Sequence, residues 1–131
     1  MENNDVIYGY VRIPSTNSKE DFVRLTDVIC VIAKRDYCEV HTKCKKYMLP
    51  QPLCEVEEKL TFNCFVRVGR SCVINITWLV TILGNMLILK NDMRIVVSKT
   101  AMTAFREKIV ALGCRKRAKQ NNFIKTLSEK Y

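Results

Sequence analysis

From Val6 to Ile13 the chain places Tyr8 and Tyr10 on one face and Ile7, Val11 and Ile13 within reach of the other, which predicts a strand. Pro14 to Ser18 is rich in turn formers and ends it. Phe22 to Leu25 reads as a second strand, paired with the first as a hairpin. Thr26 is suited to cap a helix through its hydroxyl, and Asp27 is favourable in the first turn against the helix dipole. Val28, Ile29, Val31 and Ile32 would supply that helix's buried side. Lys34-Arg35-Asp36 marks a break, and Tyr37 to Tyr47 reads as a second helix whose surface carries Lys43, Lys45 and Lys46. Pro50 and Pro52 end it, and Glu55, Glu57 and Glu58 form an acidic, solvated patch.

Phe62 to Val68 is again strand-like, with Gly69-Arg70-Ser71 as a turn into Cys72–Ile74. Cys72 to Leu89 is a run of 18 residues without a charge, long enough to consider a membrane helix. Arg67 and Arg70 before it and Lys90 after it give no orientation. Asn75, Thr77, Thr81, Gly84 and Asn85 would each oppose insertion. The favoured reading divides the run. Val73 and Ile74 finish a strand, and Ile76, Leu79, Val80, Leu83 and Leu87 recur at helical spacing, with Gly84-Asn85 as the helix terminus. Asp92 then opens the longest amphipathic stretch, with Ile95, Val96, Met102, Phe105, Ile109 and Leu112 as its apolar stripe and Gly113 as its stop. The pattern thus predicts a small single α+β domain over residues 1–113, with short strands, hairpins and about four helices. Trp78 and Phe105 should be buried in it, and residues 114–131 form a basic, polar tail.

Charge sharpens this picture. The 131 residues carry 22 Lys and Arg against 13 Asp and Glu, a net of +9. Met1 to Leu89 holds 11 basic and 10 acidic residues, whereas Lys90 to Tyr131 holds 11 basic and three acidic, a net of +8. A charge gathered at one end acts as an electrostatic contact for a polyanion, nucleic acid above all. Hydrophobic residues make up 48%, which excludes a disordered or collagen-like chain.

Candidate chemistry is sparse. The seven cysteines form no C-x-x-C pair, and the acidic start lacks a secretory pattern, so the thiols are expected to be reduced inside the cell. Cys38, His41 and Cys44, with Cys30 or Cys54, have the wrong spacing for a zinc site. No metal and no cofactor is expected. Asn75-Ile76-Thr77 is then a sequon without consequence. No phosphate-binding glycine loop or nucleophile constellation occurs, so the chain reads as non-enzymatic. Tyr8-Gly-Tyr-Val-Arg-Ile-Pro-Ser15 resembles the start of serine recombinases, but Pro14 interrupts the motif and nothing downstream continues it.

A wider similarity covers roughly residues 22 to 112. Phe22-Val-Arg-Leu-Thr-Asp-Val-Ile-Cys-Val-Ile32 resembles the opening of the Bro-N and KilA-N type domains of large DNA viruses, where a short strand runs into a helix. Phe65-Val-Arg-Val-Gly-Arg-Ser-Cys-Val-Ile-Asn75 resembles their aromatic, glycine-containing turn and strand. Trp78–Leu83 resembles their small apolar helix, and Met102-Thr-Ala-Phe-Arg106 their late helix with an aromatic-Arg pair. The resemblance implies an α+β DNA-binding module and a viral source, acting in the host nucleus or cytoplasm.

The expected function is non-enzymatic DNA binding, with RNA as a further partner. Arg115, Lys116, Arg117 and Lys119 in the tail, Arg106 on the late helix and Lys43, Lys45 and Lys46 are the expected phosphate contacts. The tail cluster also reads as a solvated end or a nuclear-import signal. Two other classes compete: a small membrane protein anchored by residues 72–89, and an interaction adaptor forming a homodimer through apolar helix faces.

Overall fold

The computed structural model describes residues 9–14, 17–60 and 64–115, with side chains to residue 111. Its first hairpin is the expected one. Strand β1 (Tyr10–Pro14) pairs antiparallel with β2 (Glu20–Arg24), placing Val11 opposite Val23. Val11, Ile13 and Val23 turn inward and are buried. The expected turn at Gly69 also forms. It joins β6 (Phe65–Val68) to β7 (Cys72–Asn75), and the Gly69 φ of +73° is a conformation that glycine adopts without cost.

The helix content departs from expectation. Among the described residues there are ten strands in three antiparallel sheets and two helices, so the fold is mostly β. Val28 to Ile32 is the first reversal. It forms β3 (Val28–Ala33), whose Val28, Ile29, Cys30 and Val31 are all fully buried. A bulge between Val28 and Cys30 sends Val28 and Val31 to one core and Ile29 and Cys30 to the other. A strand buried on both faces shows no alternation, and periodicity alone does not separate it from a buried helix.

Tyr37 to Tyr47 is the second reversal. It forms a hairpin of β4 (Cys38–Thr42) and β5 (Lys46–Leu49). Thr42 closes the turn: its hydroxyl donates to the Lys45 carbonyl at 2.7 Å and accepts from the Lys45 and Cys44 amides. The third lies in the long apolar run. After a 3-10 turn over Ile76–Trp78, β8 (Leu79–Leu83) and β9 (Met86–Leu89) form a hairpin about Gly84-Asn85, with Gly84 at φ +65°. The supposed helix stop is a hairpin turn. No described helix is long and apolar enough to cross a membrane, so the anchor helix over 72–89 is not formed.

Asp92 to Leu112 divides as well. β10 (Arg94–Val96) completes a three-stranded sheet in the order β10-β9-β8. Ser98 then starts the long helix, its hydroxyl accepting from the Ala101 amide at 3.1 Å. With the short helix α1 (Leu53–Lys59) earlier in the chain, this long helix is α2 (Lys99–Arg115). It runs through Gly113, which does not stop it.

The middle sheet, in the order β5-β4-β3-β7-β6, lies between two cores. One joins it to the β1–β2 hairpin and to Leu53, Val56 and Leu60 around α1. The other joins it to the three-stranded sheet and to Met102 and Phe105 of α2. Phe105 is fully buried as expected. Trp78 is only half-buried, its indole N–H donating to the Thr26 carbonyl at 3.3 Å. Asn75, the sequon residue, is 1% exposed and joins β7 to β3 through a bond from its amide to the Val28 carbonyl at 3.0 Å.

Candidate nucleic-acid interface

Antiparallel pairing decides which turns share an end of the molecule. β3 pairs with β7, with Ile32 opposite Cys72, so the β3–β4 and β6–β7 turns emerge side by side. The Ala33 amide donates to the Ser71 carbonyl at 2.7 Å and joins them. Strands in a sheet lie about 4.8 Å apart, which sets the two hairpin turns roughly 10 Å from one another. The link from β10 into α2 runs beside the second turn, where Ile95 to Ser98, Ala101 and residues 68–72 line one shallow groove. The β8–β9 turn reaches the same link, its Asn85 carbonyl accepting from the Val97 amide at 2.9 Å.

Four exposed cations occupy this row: Lys34 and Arg35 on the β3–β4 turn, Arg70 on the β6–β7 turn and Lys99 at the start of α2. Against them the turns carry one carboxylate, Asp36. None of the four forms an ion pair among the described residues. Along the chain Lys34-Arg35-Asp36 reads as a helix break and Gly69-Arg70-Ser71 as a turn. Both sites are visible that way, but not that β pairing brings them together.

The row is braced from behind. Arg67 on β6 donates from Nε to the Gly69 carbonyl at 3.2 Å and from Nη2 to the Arg70 carbonyl at 2.9 Å. Its Nη1 meets Glu57 Oε1 of α1 at 2.6 Å. From α2, Lys108 Nζ donates to the Arg67 carbonyl at 2.9 Å.

The residues singled out from sequence lie elsewhere. Lys43, Lys45 and Lys46 sit on the β4–β5 hairpin at the opposite end, each with a partner. Lys43 lies 3.7 Å from Asp27 and Lys46 lies 3.5 Å from Glu39. Lys45 stands 4.7 Å over the Tyr47 ring. Arg106 is exposed on α2 beside the buried Phe105. Arg115 ends α2 with its side chain undescribed, and Lys116, Arg117 and Lys119 lie outside the described residues.

The Cys38, His41 and Cys44 set does not converge. Cys38 is buried and Cys44 exposed, while His41 Nε2 lies 3.1 Å from Glu39 Oε1. Among the described residues no group of His, Cys, Asp and Glu is arranged to hold a metal. Burial pushes the Glu39 carboxyl up, but the His41 hydrogen bond and the charges of Lys34 and Lys46 outweigh it, leaving the group below its ordinary value. Burial likewise pushes the Cys72 thiol up to about 12, although Arg67 opposes the rise, and raises Cys30 strongly. These two thiols are core hydrophobes rather than nucleophiles.

A family model described as the LytTr DNA-binding domain matches residues 20–110. Among solved structures, a LytTr DNA-binding domain of a putative methyl-accepting/DNA response regulator from Bacillus cereus is similar in fold, with a TM-score of 0.68 and 23% identity. The match covers 77% of this chain and 96% of that one. None of the curated proteins compared with the chain matches it. The family match overlies the stretch on which the Bro-N and KilA-N resemblance rested and overturns it, together with the viral source it implied. The cause is physical: Val28 to Ile32 and Trp78 to Leu83, quoted as helices for that resemblance, contribute to strands β3 and β8.

Proposed function

Because this chain belongs to the LytTr DNA-binding domain family, a non-catalytic one, we propose that it binds duplex DNA through the row of turns at one end of its sheets. The observation that carries this reading is the convergence of Lys34, Arg35, Arg70 and Lys99 on adjoining turns, with no ion-pair partner among the described residues. Cations so placed neutralise phosphates and release counterions. A pair of turns roughly 10 Å apart matches a B-DNA major groove about 12 Å wide. Lys43, Lys45 and Lys46, held by their own partners at the far end, stand outside this contact. Arg115, Lys116, Arg117 and Lys119 add affinity that does not depend on sequence.

Titration against duplex DNA, single-stranded DNA and RNA at two salt concentrations tests the reading. Duplex DNA should bind tightest, with affinity falling steeply as salt rises. Equal affinity for all three, or no binding at low salt, contradicts it. Replacing Arg115, Lys116, Arg117 and Lys119 with Ala should weaken binding to every sequence alike. The slope of log affinity against log salt should flatten by about 0.9 for each phosphate no longer neutralised, roughly 3 to 4 in all.

A further inference from the structure

Arg67 has the charge of a phosphate contact but not the setting of one. Its three polar nitrogens are all engaged, with the Gly69 carbonyl, the Arg70 carbonyl and Glu57. Its charge is therefore matched by a carboxylate 2.6 Å away, and its side chain is 29% exposed. The two carbonyls belong to the tight turn that presents Arg70, and Gly69 there holds a φ of +73°. We propose that Arg67 is a positioning residue that fixes the β6–β7 turn for entry into the DNA groove, tying it to α1 through Glu57 and to α2 through Lys108. The inference rests on the turn row being the DNA-binding surface.

The planar guanidinium is what the role requires. Its fork reaches two backbone carbonyls and a carboxylate at once, whereas a lysine ammonium is a compact point charge on a flexible stem and holds no such fixed geometry. A phosphate contact tolerates that exchange, because the charge is kept. A brace does not. The Ala33 amide reports on the brace without DNA, since its hydrogen bond ends on Ser71 of the same turn.

The test is Arg67→Lys, with a duplex selected by the wild-type protein from a randomised pool and a mixed-sequence duplex as probes. Affinity for the selected duplex should fall roughly 5- to 150-fold, the span for a single mismatched base pair. Affinity for the mixed duplex and the salt slope should stay at wild-type values, and hydrogen exchange at the Ala33 amide should quicken. Unchanged affinity for the selected duplex overturns the proposal. So does equal weakening on both duplexes, which would mean that the exchange disturbs general binding and not the fit of one turn to its groove. Should Arg67→Lys fail to fold, Glu57→Gln, which leaves both carbonyl bonds in place, should move the same readouts in the same direction by less. A wild-type protein that binds no duplex would remove the DNA reading, and the Ala33 exchange rate would still decide the brace: quickened supports it, unchanged overturns it.

Discussion

Asn75 shows how one polar side chain is kept in the core. Its amide nitrogen donates to the Val28 carbonyl, and its Oδ1 accepts from the Thr77 amide at 3.0 Å and the Thr77 hydroxyl at 2.6 Å. Removing it leaves a buried carbonyl without its donor, which costs about 1 to 3 kcal/mol. Asn75→Ala should therefore lower the unfolding free energy by about 2 kcal/mol in urea titration, with the cavity adding to the loss. Glu39 makes a different prediction. Its folded carboxyl lies below its ordinary value, so the stability it contributes is present above about pH 4.5 and is lost as the pH falls through the folded value. Glu39→Gln should be less stable than wild type at neutral pH, and the two unfolding curves should converge below pH 4.5. Curves that stay parallel down to the acid limb would show that Glu39 is not held by His41 and Lys46. Accessible thiols divide in the same manner. Cys44 and Cys54 are exposed and should be alkylated in the folded protein, whereas Cys30, Cys38 and Cys72 should react only on unfolding.

Elements were legible where a strand faces water on one side, and obscure where it does not. The β1–β2 hairpin and the Gly69 turn followed from alternation and from a glycine between two apolar strands. β3 did not, because its run of Val, Ile and Cys is buried on both faces and presents no period. The β8–β9 hairpin was hidden by the spacing of Ile76, Leu79, Val80, Leu83 and Leu87, which fits a helical stripe. Gly84-Asn85, read as the terminus of that helix, is the turn of the hairpin instead. Its backbone gives a direct check. An added Cβ at Gly84 meets nothing within 4 Å, so Gly84→Ala tests conformation alone. At φ +65° the substitution should cost about 1 to 2 kcal/mol in thermal or urea unfolding. A neutral or stabilising result would mean that the turn does not need the left-handed conformation.

At the scale of the molecule, the candidate site was half visible. Composition pointed to a polyanion, and the excess charge drew attention to the last third of the chain. The described cations that converge come instead from three separated stretches, residues 34–35, 70 and 99, and only the antiparallel pairing of β3 with β7 and the course of the β10–α2 link bring them to one end. No spacing rule along the chain encodes that. Lys43, Lys45 and Lys46 look like a basic helix surface only while Tyr37 to Tyr47 is read as a helix. As a hairpin, the same stretch places them against Asp27, Tyr47 and Glu39.

The comparison of these two basic sets tests the account most directly. One variant replaces Lys34, Arg35, Arg70 and Lys99 with Ala, and the other replaces Lys43, Lys45 and Lys46. Both are titrated with duplex DNA across a range of salt, after thermal unfolding has confirmed that each is folded. The turn variant should lose affinity and flatten the salt slope by roughly 3 to 4, while the hairpin-lysine variant should keep the wild-type slope. A turn variant with the wild-type slope, beside a hairpin-lysine variant whose slope collapses, would contradict the account and move the interface to the opposite end of the molecule.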